Sequence, residues 1–167
     1  QTINGCESIN RLTVQATIYE TPSPASTIPT IYKCDSNTTG IDTDGFELFD
    51  VTQNKNFILN GKAATDFTIT YFEDNAQSIS ITNPTNFPNS TVSQTIYFNI
   101  VNNNYPNCEV SGSFLIEVNP LPVLKNTEVT LEQCDDDASN DGFSLFNLNE
   151  AKELISTNYQ NETFEFF

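Results

Sequence analysis

Two acidic loops hold the residue types in this chain best suited to chemistry. Asp35, Asp42, Asp44 and Asp50 surround a first Asp-Gly turn at Gly45, and Asp135, Asp136, Asp137 and Asp141 surround a second at Gly142. Calcium takes about six to eight oxygen ligands, which clustered carboxylates on a tight turn can supply. Set on the EF-hand pattern with Gly142 at the glycine position, Asp137, Ser139 and Asp141 fall on ligand positions. Leu148 then stands where a bidentate glutamate belongs, and in the first loop Gly40 stands where the leading aspartate belongs. Two readings follow. Either Asp35, Asp42, Asp44, Asp50, Asp135, Asp137 and Asp141 hold calcium (Ca2+), or they are Asp-Gly turns whose carboxylates cap backbone N–H groups. No other cofactor is implied.

Cys6, Cys34, Cys108 and Cys134 form no Cys-x-x-Cys pair, so structural disulfides in an oxidising compartment suit them better than zinc or redox chemistry. Pairing Cys34 with Cys108 closes one whole unit and leaves Cys6 and Cys134 to partners outside the segment; this is the expected scheme. The rival joins Cys6 to Cys34 and Cys108 to Cys134. It must bridge two strands and a proline-stiffened junction, although the α-carbons of a disulfide lie within about 7 Å. Against the first scheme stands plain immunoglobulin topology, which would put Cys34 and Cys108 at opposite ends.

These residues recur because the chain contains itself twice. Cys34-Asp35 and the run Asp44-Gly45-Phe46-Glu47-Leu48-Phe49-Asp50-Val51 return as Cys134-Asp135 and Asp141-Gly142-Phe143-Ser144-Leu145-Phe146-Asn147-Leu148. Cys6-Glu7 answers Cys108-Glu109, and Pro22-Ser23-Pro24 answers Pro120-Leu121-Pro122. A period of roughly a hundred residues means one small domain per unit. Residues 1–21 then read as the C-terminal end of a preceding repeat, 25–120 as a complete one and 123–167 as the N-terminal part of a following one. Six basic against 22 acidic residues give a net charge of −16, which repels nucleic acid and anionic lipid. Histidine is absent, removing the commonest general base, and no nucleophile stands in register with the acidic pairs. An enzyme is not expected.

The elements that would position the loops are strands. Thr30 to Cys34, Phe46 to Val51, Phe67 to Tyr71, Gln77 to Ile81, Ser93 to Val101 and Ser113 to Asn119 carry period-two patterning. Ile96, Phe98 and Ile100 share one face, as do Phe114, Ile116 and Val118. A strand from Glu128 to Cys134 is expected in the following copy, with Leu131 inward like Ile31. Thr52 and Asn149 are candidate N-caps for short helices over Gln53–Leu59 and Glu150–Ser156, the first dipping Phe57 and Ile58 into the core. Asn83 to Asn89, with two prolines, reads as a surface loop anchored by Phe87. The fold class is therefore all-β: tandem immunoglobulin-like β-sandwich repeats with a short helix in each unit.

Cys34-Asp35, Asp44-Gly45, Phe49-Asp50-Val51-Thr52, Phe67-Thr68-Ile69-Thr70-Tyr71-Phe72, Asn83-Pro84, Gln94-Thr95-Ile96-Tyr97, Cys108 and Val118-x-Pro120-x-Pro122 together resemble the repeats of giant type IX-secreted surface proteins of gliding Bacteroidota, the SprB-like gliding adhesins. The resemblance implies an extracellular filament attached to the bacterial outer membrane. Its partners would be neighbouring repeats of the same chain, the type IX secretion and gliding machinery, and a surface or glycan ligand. The alternative is a carbohydrate-binding β-sandwich module array of a secreted glycan-degrading protein, with Tyr97 and Tyr105 as candidate sugar platforms.

Overall fold

The computed structural model describes residues 2–7, 9–135 and 141–167. Its strands are β1 (Thr2–Ile3), β2 (Cys6–Glu7), β3 (Ile31–Cys34), β4 (Leu48–Phe49), β5 (Phe67–Phe72), β6 (Phe87–Pro88), β7 (Ser93–Asn102) and β8 (Glu109–Asn119). Two single-turn helices, α1 (Lys55–Leu59) and α2 (Lys152–Ile155), each follow a 3-10 turn. The protein is all-β in class. Its residues divide into two compact units, Gln1–Tyr32 with Leu48–Glu117, and Lys33–Glu47 with Val118–Phe167.

The main sheet has the order β3-β8-β7-β5. β7 and β8 pair antiparallel from Ser93↔Glu117 to Val101↔Glu109, and β5 pairs with β7 from Phe67↔Asn102 to Phe72↔Tyr97. The alternation expected of β7 and β8 is realised: Ile96, Phe98, Ile100, Phe114, Ile116 and Val118 are all buried. In the first unit, Tyr71 meets Phe114 edge-on with ring centroids 6.5 Å apart, an arrangement suited to the ring quadrupoles. Ile31, Phe49, Val51, Ile58, Leu59, Phe67, Ile81 and Phe87 are also buried in that unit.

β8 begins four residues earlier than the patterning suggests, because Ser111-Gly112-Ser113 lacks apolar alternation yet stays in the ladder. Gly112 lies opposite Phe98, and a Cβ there would sit 2.5 Å from the Phe98 ring. The glycine is where the aromatic ring crosses the neighbouring strand.

Other expectations need correcting. The first 3-10 turn, Val51–Asn54, is capped by Asp50, whose carboxylate accepts from the Thr52 amide; Thr52 is not the cap. The second, Leu148–Ala151, is capped by Asn147 rather than Asn149. Both turns start two residues early because the 3-10 geometry admits Val51 and Leu148 straight after the short strand. α1 buries Ile58 and Leu59, leaving Phe57 exposed. Phe87–Pro88 is a short strand paired with β4, with Phe49 opposite Phe87; proline is tolerated at such an edge. Gln77–Ile81 makes only a bridge, Phe72↔Ser80, because Asp74 holds a turn there. Its carboxylate accepts from the Ser78 hydroxyl and amide and from the Ile79 amide. Those bonds, the Ser78 hydroxyl's first, hold its pKa below the usual range. Glu128–Cys134 forms no strand among its described residues.

In the second unit Leu124 bridges Ser156, and the Lys125 amide donates to the Ile155 carbonyl. Ala151 and Ser156 are buried there, whereas Phe146 and Leu148, counterparts of the buried Phe49 and Val51, are about half exposed.

Two predictions follow from the sheet. Gly112→Ala is expected to lower stability by about 1–3 kcal/mol through overpacking against Phe98, read as a lower midpoint in denaturant melts; Ser111→Ala should leave the midpoint nearly unmoved. The second concerns Tyr71, whose hydroxyl is pushed up to about 12 first by burial and then by the Asp50 carboxylate. The folded state therefore keeps the phenolic proton when the unfolded chain has begun to lose it near pH 10. Stability is whole below pH 10 and falls as pH rises through 12, by about 3 kcal/mol at most. Alkaline titration of the unfolding free energy should show this loss in the parent and not in Tyr71→Phe.

Candidate functional site

The acidic loops are built the same way in both copies. Asp35 Oδ2 accepts from the Gly45 amide at 2.7 Å, and Asp135 Oδ2 from the Gly142 amide at 2.8 Å. Asp44 Oδ1 accepts from the Phe46 amide at 3.0 Å, and Asp141 Oδ1 from the Phe143 amide at 3.0 Å. Gly45 and Gly142 adopt φ of 75° and 81°, the left-handed region open to glycine at little cost. Each loop is thus a glycine turn with one carboxylate reaching across it and another folding back over it.

The remaining sequence-predicted residues divide. Asp44 also accepts from the Ile41 amide at 3.1 Å through Oδ2. Gly40 makes room for that carboxylate, since a Cβ on it would lie 2.0 Å from Asp44 Oδ2. The residue that spoils the EF-hand pattern is the one the observed turn requires. Asp42 gives its amide to Asn37 Oδ1 at 3.2 Å. Asp50 stands apart as a helix cap, accepting from the Thr52 amide and hydroxyl. Asp136 and Asp137 lie outside the described residues. Among the described residues no three His, Cys, Asp or Glu side chains gather as a metal-binding group. Asp35 and Asp135 nonetheless each bury an Oδ1 that makes no hydrogen bond.

One buried acid escaped the sequence reading. Glu47 is almost fully buried, receives the Ser36 hydroxyl and lies 3.6 Å from Lys33 Nζ. It hides in the alternation Phe46-Glu47-Leu48, where its counterpart is Ser144, so neither pattern nor repetition marks it. Of the candidate sugar platforms, Tyr105 has one face taken by Tyr19, with centroids 5.0 Å apart and 6° between planes. Tyr97 lies in the sheet between Phe72 and Ser113.

The four cysteines carry no disulfide in the structure; Cys6, Cys34 and Cys134 are exposed and Cys108 is partly covered. Cys34 ends β3, and the next amide, Asp35 N–H, donates to the Asn119 carbonyl at 2.8 Å. Cys108 immediately precedes β8, in the turn where its amide donates to Tyr105 and its carbonyl accepts from Asn102.

Asp35→Ala removes the carboxylate that accepts from the buried Gly45 amide and should lower stability by about 1–3 kcal/mol, whereas Asp35→Asn retains an oxygen and should lose less. The same melts with calcium and with chelator address the cation reading. Turn capping predicts coincident curves; a calcium-dependent rise that disappears in Asp44→Ala would restore a cation site.

The family model of the Flavobacterium inter-domain disulphide bond domain matches residues 30–122, more than half of the chain, and points to a flavobacterial origin. No curated protein and no solved structure matches.

Proposed function

The chain belongs to the Flavobacterium inter-domain disulphide bond domain family, and from that premise we propose that it is a structural and adhesive segment of a very large cell-surface protein. In this reading each repeat is an immunoglobulin-like β-sandwich, successive repeats are stapled by disulfides, and the array resembles the mobile adhesin of gliding motility. The observation that carries it is the pairing of an internal repeat with cysteines at matching positions in each copy, Cys34 with Cys134 and Cys108 with Cys6. Disulfides of that kind belong to an oxidising, extracytoplasmic setting. The net charge of −16 supports an exposed, solvated surface that resists collapse on itself.

The mechanism is mechanical reach. Folded units hold a distal adhesive region away from the outer membrane, export would use the type IX system, and covalent links between units would limit extension when the cell moves. Antibody raised against residues 25–122 should label intact cells of the source bacterium, and external protease should remove the label without lysis. Deleting the repeat array should reduce attachment to glass or polysaccharide. Labelling only after permeabilisation, or unchanged attachment with full surface display of the deleted protein, would contradict the proposal.

A further inference from the structure

The two ends of β8 place a repeat's cysteines differently with respect to its neighbours. At the start of β8, Cys108 belongs to the turn Asn102–Cys108, closed by Cys108 N–H to Tyr105 at 2.9 Å and Asn102 N–H to Cys108 at 3.0 Å. The incoming chain is fastened to this same turn. Tyr19 stacks on Tyr105, and Asn102 Nδ2 donates to the Glu20 carbonyl at 2.8 Å. At the finish of β8, the bond from Asp35 to Asn119 puts Cys34 about one strand spacing, roughly 4.8 Å, from the strand's last residues. β3 and β8 end together there. A link between Cys34 and Cys108 of one repeat would have to run the length of β8, which at about 3.3 Å per residue is roughly 33 Å. A disulfide allows about 7 Å between α-carbons.

The repeat register connects the two ends. Counted back from Pro22-Ser23-Pro24 and from Pro120-Leu121-Pro122, Glu20 and Thr21 stand where Val118 and Asn119 do, the earlier copy carrying four more residues between its cysteine and the prolines. Glu20 is held on the cysteine-bearing turn of the repeat it enters. By the same register Val118 is held on the cysteine-bearing turn of the following repeat, and Val118 and Asn119 are the residues beside Cys34. We propose that Cys34 of each repeat is disulfide-bonded to the cysteine at the Cys108 position of the next repeat. This rests on the inter-domain disulphide reading above and specifies which sulfurs are joined. Cys108 is then bonded to the Cys34 counterpart of the preceding repeat, and none of Cys6, Cys34, Cys108 and Cys134 pairs with another of the four.

The bond forms by thiol–disulfide exchange with a disulfide-bearing oxidoreductase. The thiolate of one cysteine attacks the donor's S–S bond to give a mixed disulfide. The second cysteine's thiolate then displaces the donor, which leaves as a dithiol with the two electrons and two protons given up by Cys34 and its partner.

The test is disulfide mapping of the full-length natural protein, alkylated and digested without reduction, with cross-linked peptides sequenced by mass spectrometry. The expected product joins the Cys34 peptide to the Cys108-position peptide one repeat further on. A Cys108–Cys134 or Cys6–Cys34 peptide would overturn this pairing while leaving the inter-domain disulphide reading intact. A Cys34–Cys108 peptide, or four alkylated thiols, would overturn both. Cys34→Ser in the full-length protein provides a second readout: it should expose the next repeat's cysteine to alkylation and leave Cys108 protected. Newly alkylated Cys108 would contradict the proposal.

Discussion

The ladder between β7 and β8 is the constraint on which the rest of the structure depends. It is long, antiparallel and unbroken from Ser93↔Glu117 to Val101↔Glu109, and it lines Ile96, Phe98 and Ile100 up with Phe114 and Ile116 in the same apolar interior. Its continuity requires the small residues around Gly112, where the Phe98 ring leaves no space for a Cβ. One end of β8 is the turn that receives the incoming Tyr19 and Glu20. The other meets Asp35 through Asn119 just before Pro120. The strand is thus both the wall of the core and the spacer between a repeat's entry and its exit.

The acidic loops show how one sequence pattern serves two chemistries. Asp-Gly with flanking carboxylates is what a calcium loop needs, and also what a left-handed glycine turn needs to satisfy its amides. Here Asp35 and Asp44, and their counterparts Asp135 and Asp141, spend carboxylate oxygens on Gly45, Phe46, Gly142 and Phe143 amides. The two loops differ in length yet place the same bonds on the same turn.

Strands whose apolar residues alternate were legible in the sequence: β7 and the second half of β8 have the faces their patterns imply, and the Asn60-Gly61 turn is realised with Asn60 in the left-handed region. What was not legible depended on particular contacts. The start of β8 is a run of small polar residues kept in the ladder by pairing with β7, and Phe87–Pro88 becomes a strand only because Phe49 lies opposite. Glu47 is buried by the approach of Ser36 and Lys33, which no spacing foretells. The acidic turns were legible as one of two readings. The cysteine geometry was legible only as an objection, since plain immunoglobulin topology already set Cys34 and Cys108 at opposite ends, against the pairing expected between them.

The staggered pairing has a mechanical consequence that separates it from other schemes. A force entering at Cys34 passes through the bond to the next repeat's cysteine and then along a junction equivalent to the 26 residues from Cys108 to Cys134 before reaching another bond. Two such paths interleave; each includes β8 and bypasses the 74 residues from Cys34 to Cys108, which hold β5, β7 and α1. Stretching single molecules of the oxidised natural protein is the most direct test. The account predicts extension of about 90 Å for every two repeats, at about 3.5 Å per residue, with steps of a whole repeat, about 340 Å, released only after a reductant is added. Steps of about 260 Å or more in the oxidised protein would show that the 74 residues from Cys34 to Cys108 lie in the path of the force, and would contradict it.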